Sequence, residues 1–190
     1  MILSKADYIL YLAEDFKANN IAFGDGSFRF RLKNFFRRLL NPDSIEEFLR
    51  RLRKAEYFHN CPPPSVLGRF YARYNWIRFK RISLKNGFTI PLNTFDSGLS
   101  ISHPGTIVVN GAARIGKNCR IHVCVNIGTA KGCVGSAPKI GSNVYIGPGA
   151  KIFGPIVIAD DCVIGANAVV NRDCCIPGTK LLGIPAKEYR

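Results

Sequence analysis

Between residues 98 and 186 an aliphatic residue returns every six positions. The series runs Val109, Ile115, Ile121, Ile127, then Ile140, Ile146, Ile152, Ile158, Ile164, Val170, Ile176 and Leu182. The next residue is often glycine, as at Gly116, Gly128, Gly141, Gly147, Gly165 and Gly183. Two positions before each aliphatic stands a small or moderate residue: Ala113, Cys119, Val125, Val144, Ala150, Cys162, Ala168, Cys174. A helix wants apolar residues three and four apart, and an amphipathic strand wants them two apart. A period of six fits neither as a single element. It fits a short strand followed by a tight corner, repeated. Three units close one triangular coil, and stacked coils bury a continuous core between parallel strands.

The phase breaks once. Ile127 to Ile140 is thirteen residues instead of twelve, so the stretch 129–137 is expected to bulge out of the coil. It is either a tolerated insertion or a loop over a site, since loops on rigid scaffolds often carry function.

The first 86 residues have a different texture. Residues 3–18 place Leu3, Ala6, Ile9, Leu10 and Ala13 on one helical face, with Ser4 as a cap. A turn is expected at Gly24-Asp25-Gly26, and a second helix over 27–40 that stops at Asn41-Pro42. Ser44 and Glu47 form a capping-box pattern that opens a third helix, ending near Phe58. After Cys61-Pro62-Pro63-Pro64, residues 65–84 read as a fourth helix, rich in Phe, Tyr and Arg. That alternation fits an anionic surface contact, or arginines snorkelling around an aromatic core. From Gly87 the β region begins, with Ile90 and Leu92 in a first irregular strand. The expected division is a helical domain over 1–86 and a β domain over 87–190. The helices would cover the solenoid's open end, whose strand edges are otherwise unpaired.

Charge narrows the partners. The formal net charge is +14, with 17 Lys/Arg against 8 Asp/Glu in residues 1–88 and 10 against 5 in the remainder. Such a chain suits a nucleic acid, an anionic membrane surface or a phosphorylated ligand. No recognised nucleic-acid-binding signature is present, so no nucleic-acid partner is expected. No apolar run is long enough for a membrane span, and the acidic residues near the amino terminus do not fit a signal peptide. The seven cysteines include no CxxC pair, so no metal is expected, and Cys119, Cys162 and Cys174 read as small core residues. These features point to a cytoplasmic protein.

Several segments carry a family resemblance: LSISHPGTIVV (99–109), ARIGKN (113–118), VNIGT (125–129), PKIG (138–141), YIGPGAKI (145–152), IGANAVV (164–170) and GIPAK (183–187). Over about 90 residues the chain resembles the serine acetyltransferase family of hexapeptide-repeat acyltransferases. The resemblance implies a mainly β chain built as a left-handed parallel β-helix with an N-terminal helical segment. The general preference for right-handed crossovers would have given the other hand. It also implies transfer of acetyl from acetyl-CoA to a hydroxyl, L-serine by family. The assembly would be a homotrimer with sites between neighbouring coils, a dimer of trimers being left open. His103 would be the catalytic base, because an alcohol attacks well only as its proton is removed. It stands in phase with Val109 and Ile115, where the pattern expects an aliphatic. His122 is a weaker candidate, and His59 suits a helix C-terminal dipole. Family similarity places Gly128, Thr129, Gly147, Pro148, Gly165 and Ala166 along the coenzyme groove. Backbone N–H groups near Gly128 and Thr129 would serve an oxyanion. Lys131, Lys180 and Lys187 are the cationic candidates for the coenzyme's phosphates.

The departures from the family concern charge. Its orienting acid would fall near Phe88 or Thr89, where there is none; Asp96 is a substitute or a turn residue. Ser102 stands where the family has an acid before the histidine. In the acceptor site, Asn41 replaces an Asp, and Ser136 and Ala137 replace an Arg–His pair. A zwitterion loses both charged partners, and burying an unpaired charge is costly. A sugar hydroxyl in polysaccharide synthesis is therefore the alternative acceptor. A silent trimeric scaffold and a basic membrane- or nucleic-acid-binding module are the lesser alternatives.

Overall fold

The computed structural model describes residues 1–23, 43–131 and 135–189. The turn expected at 24–26, the helix expected over 27–40 and Asn41 lie outside them. Among the described residues three helices come first: α1 (Lys5–Ala18), α2 (Ser44–Asn60) and α3 (Val66–Asn86). Ser4 caps α1, its Oγ accepting from the Asp7 N–H at 3.0 Å. The cap of α2 is Asp43, not Ser44: its Oδ1 accepts from the N–H groups of Ile45 and Glu46. Ser65 caps α3, which ends at Gly87 in the left-handed region, φ +75°, where glycine has no Cβ to clash. His59 lies in the last turn of α2.

The buried face of α1 differs from the one its apolar pattern predicts. Leu3, Ile9 and Leu10 are exposed, while Tyr11, Leu12, Asp15 and Phe16 are buried. The reason is Arg53 on α2, which is fully buried. Its Nε lies 2.7 Å from Asp15 Oδ2 and its Nη1 2.9 Å from Glu56 Oε2, so the charged residue of α1 must face inward. The carboxylates of Asp15 and Glu56 hold the guanidinium charged, its pKa raised although burial opposes the charge.

Among the described residues fourteen short strands follow. They are β1 (Phe88–Thr89), β2 (Ser100–Ile101), β3 (Ile107–Val109), β4 (Arg114–Ile115), β5 (Arg120–Ile121), β6 (Val125–Gly128) and β7 (Lys139–Ile140). Then come β8 (Tyr145–Ile146), β9 (Lys151–Phe153), β10 (Val157–Ile158), β11 (Val163–Ile164), β12 (Val169–Val170), β13 (Lys180–Leu182) and β14 (Lys187–Tyr189). They form three sheets, ordered β1-β3-β6-β9-β12, β10-β7-β4 and β14-β13-β11-β8-β5-β2. Every pairing is parallel except β13 with β14. This is a triangular β-helix, one sheet per face. Ile121, Ile127, Ile146, Ile152 and Ile164 are fully buried along its axis, with Cys119, Cys162 and Cys174 filling corners. At one corner Asn118, Asn143 and Asp161 all take positive φ, which Asn and Asp tolerate, and their side chains join in a ladder at 3.2 and 3.0 Å.

Two details of the periodic reading change. Ile115 pairs with Ile140, twenty-five residues on, whereas Ile140 pairs with Ile158, eighteen on. The excursion after Gly128 is thus a seven-residue insertion between consecutive faces, not a one-residue slip with a weak unit. In the last coil Cys174 and Leu181 turn inward, pairing with Ile158 and Ile164, while Ile176 and Leu182 are exposed. That coil is shorter, so the period fails there.

The helices close the first coil with polar side chains in place of a missing strand. Arg53 donates to the carbonyls of Phe95 (2.9 Å) and Asp96 (2.7 Å). Asp15 Oδ1 accepts from the N–H groups of Gly98 and Leu99, both at 2.9 Å. Asn19 donates to the Leu99 carbonyl at 2.8 Å and accepts from the Ile101 N–H at 2.9 Å. Phe48 stacks edge-on against Phe88 at 4.8 Å, making one core across both regions.

Candidate active site

His103 is exposed, in the corner between β2 and β3. It does not take an aliphatic's inward place; Ile101 and Ile107 do that on either side. Five residues separate those two, whereas three separate Ile121 from Val125 and Ile146 from Ala150 in the corners above. The two extra residues push the imidazole out of the stack.

The strand register sets what lies above it. Ile101, Ile121, Ile146 and Ile164 share one column. The following residues therefore stack as Ser102, His122, Gly147 and Gly165, and in the next place Val123, Pro148 and Ala166 stack beyond the lengthened corner that holds His103, with Val123 against Gly105. A Cβ on Gly147 would meet the Ala166 nitrogen at 2.8 Å and the Gly165 carbonyl carbon at 2.9 Å, so the corner closes only on glycine. Pro148 and Ala166 are exposed. The edge above His103 thus carries small side chains and open backbone. Lys180 is exposed on the adjoining face, and Lys187, which pairs with Leu182, flanks the far end of the same edge.

His122 is the neighbour that periodicity ranked low. Its Nε2 lies 3.3 Å from Ser102 Oγ, and its ring is 5.0 Å from that of Tyr145. Burial, then the charges of Arg120 and His103, hold its pKa below the ordinary histidine value. A neutral imidazole there can accept the Ser102 hydroxyl proton. Ser102 is the residue directly before His103, while Phe88 and Thr89, where an orienting acid would fall, lie in β1.

Asp96 does not reach this corner. It follows Phe95, which bridges to Ile115 on the three-stranded face, and its Oδ1 accepts from the Ser97 N–H at 2.8 Å. Burial works to raise its pKa, but hydrogen bonds from the Tyr11 hydroxyl and the Ser97 amide outweigh it and leave the carboxyl below its usual value. Asp96 lines a groove of about 860 Å³ along that face with Arg114, Lys139 and Asp160, away from His103. Its role is to hold the helices and the first coil.

Gly128 and Thr129 lie at the C-terminal end of β6, where the chain leaves for the excursion, whereas His103 precedes the N-terminal end of the neighbouring parallel β3. The Gly128 carbonyl accepts from the Gly154 N–H at 3.1 Å, which anchors the exit. Lys131 and Ser136 are exposed beyond it, and Ala137 is buried at the return. Within one chain, His103 and the Gly128–Thr129 amides are therefore not brought together. Among the described residues no group of three His, Cys, Asp or Glu side chains could hold a metal ion.

Residues 137–172 match the family model for the bacterial transferase hexapeptide (six repeats). Over 89 residues the chain is 38% identical to a serine acetyltransferase of Mycobacterium tuberculosis, and over 92 residues 39% identical to one of Helicobacter pylori. Over these residues the coil stack is similar to serine acetyltransferases. These matches cover 46% and 47% of this chain, and the chain spans 38% and 53% of those two relatives. Soybean serine acetyltransferase, as apoenzyme and complexed with serine, superposes with a TM-score of 0.68 at 25% identity, over 97% of this chain and 70% of that one. The β-helix is left-handed, as in that family. The Ser102–His122 contact was not legible because its two residues lie twenty apart in sequence, joined only by the register.

Proposed function

We propose that this protein is an acetyl-CoA-dependent O-acetyltransferase with L-serine as acceptor and His103 as general base. The observation that carries the proposal is the exposed imidazole at a lengthened corner, beneath an edge of Gly147, Pro148, Gly165 and Ala166. The edge fits a thin chain such as the pantetheine arm, since no bulky side chain stands in its way. Lys180 and Lys187 offer cations to phosphates at its end. The related M. tuberculosis protein is named a serine acetyltransferase, and the soybean structure holds serine. Another matching structure is a complex with CoA.

In the reaction, His103 removes the acceptor's hydroxyl proton as its oxygen bonds to the acetyl carbonyl carbon. The carbon–sulfur bond then breaks, and the imidazolium returns its proton to the leaving thiolate. Backbone N–H groups at Gly128 and Thr129 would stabilise the oxyanion between these steps. They stand at the opposite strand end from the same chain's His103, so a site that uses both requires two copies. Three copies around an axis supply three such sites, and we infer a homotrimer. Light scattering giving a monomer at micromolar concentration would contradict this assembly.

A second reading, a sugar hydroxyl as acceptor, is favoured by one observation. Ala137 is buried and Ser136 is uncharged, so neither offers a carboxylate a partner. The test is release of free CoA from acetyl-CoA with L-serine and with a panel of sugars, for wild type and His103→Ala. Serine-dependent release that is lost in the variant supports the first reading. Release with sugars alone supports the second. No release with any acceptor, together with no rise in melting temperature on adding acetyl-CoA, overturns both.

A further inference from the structure

The outer face of α3 carries an apolar stripe, interrupted once by a cation. Leu67, Phe70, Tyr74 and Ile77 recur at spacings of three and four residues, the exposed Arg81 takes the next place, and Leu84 follows it; Leu67 is exposed by 83%, Phe70 by 70% and Leu84 by 81%. They run opposite the stripe that packs inward through Asn75, Phe79, Ile82 and Asn86. The expected aromatic core of this helix therefore forms only in part. Exposed apolar side chains gathered on one face mark an interaction surface.

The flanks identify the partner. Helix α3 contains six Lys/Arg and no Asp or Glu. On a helical projection Arg69, Arg73 and Lys80 border one side of the stripe, and Arg78 and Lys85 the other. Arg78 is engaged by Glu47 at 2.8 Å and over the Tyr74 ring; Arg69, which donates to the Pro64 carbonyl at 3.3 Å, Lys80, which lies over the Trp76 ring, and Arg73 are exposed beside the stripe. A second copy of the helix laid on this face would oppose six cations with six, with no acid from either helix between them. An aromatic and aliphatic stripe bordered by long cationic side chains suits a bilayer interface. The rings enter the headgroup boundary and the cations snorkel to phosphates.

We propose that the outer face of α3 docks on an anionic phospholipid bilayer. The apolar stripe supplies the penetration, and each Lys or Arg at the surface adds about 1 kcal/mol, roughly a fivefold gain in partition. This inference does not depend on the transferase reading.

The experiment is co-sedimentation of the full chain with phosphatidylcholine vesicles, alone or with about 30% phosphatidylglycerol. Partition is expected to be at least about tenfold higher on the anionic vesicles and to fall as salt rises. Leu67→Ser with Phe70→Ser, and separately Arg69→Glu with Arg73→Glu, should each lower it about tenfold or more while the circular dichroism spectrum stays unchanged. Equal partition on both vesicles would overturn the proposal. So would anionic binding that survives the apolar pair of substitutions. Concentration-dependent self-association without lipid, abolished by that same pair, would assign the face to a second copy instead. Tighter binding to an oligonucleotide, indifferent to the apolar pair, would assign it to nucleic acid.

Discussion

Replacing Arg53 by methionine tests whether the helices hold the β-helix through its edge. The guanidinium is fully buried and touches four acceptors: Asp15, Glu56, and the carbonyls of Phe95 and Asp96. Methionine keeps much of the volume and none of the donors. Asp15 would still receive the N–H groups of Gly98 and Leu99, and Glu56 that of Asn93 at 2.8 Å, so neither carboxylate is wholly abandoned. The two carbonyls would lose this donor. Breaking one partner of a buried ion pair typically costs about 3–5 kcal/mol, and the stranded carbonyls place this site within that range. With a urea dependence near 3 kcal/mol per molar, the unfolding midpoint should fall by about 1–1.7 M. The assay is urea unfolding followed by circular dichroism at one fixed protein concentration, because assembly shifts apparent stability. A double-mutant cycle with Asp15→Asn adds a second reading. If the two act as a unit, the double variant costs clearly less than the sum of the singles. A loss below about 1 kcal/mol, or simple additivity, would refute the view that this ion pair holds the helices to the first coil.

Three further outcomes follow from particular groups. His122 has a folded-state pKa below its unfolded value, so its contribution to stability is full above about pH 6.5 and is lost as pH falls through the folded value. The urea midpoint should therefore drop less between about pH 7.5 and 5.5 in His122→Gln than in wild type, and equal drops would count against it. Gly147→Val puts side-chain atoms against the backbone of Gly165 and Ala166, and should cost about 1–3 kcal/mol in the same unfolding assay. Burial pushes the thiols of Cys119 and Cys162 up to about 11, while Cys124 and Cys175 are exposed. Mass mapping after brief alkylation of the native protein should find label on Cys124 and Cys175, with Cys119, Cys162 and Cys174 labelled only after unfolding.

The β-helix was legible because its physics is local and repeated. Each coil needs an inward aliphatic, a small residue beside it and a tight corner, and each requirement leaves a mark six residues from the next. The reading failed where the chain departs from repetition. The seven extra residues before β7 hide in the phase, because seven is one more than a full unit and so looks like a slip of one. His103 seemed to occupy an inward position for a related reason: its corner is two residues longer than the others, which moves the true inward residue back to Ile101. The inward turn of α1 was hidden differently. Hydropathy assigns Asp15 to solvent, and only Arg53, thirty-eight residues away, reverses that. The same blindness separates Ser102 from His122. Repetition specifies the frame, and pairings across sequence place the charges on it. The residues proposed for chemistry are those at which the frame lengthens or is interrupted, at the corner of His103 and the exit after Gly128. A regular corner is closed by its own stacking, as Gly147 is by the backbone of Gly165 and Ala166, and offers a ligand only a smooth edge, whereas a lengthened one has a polar side chain left over to act.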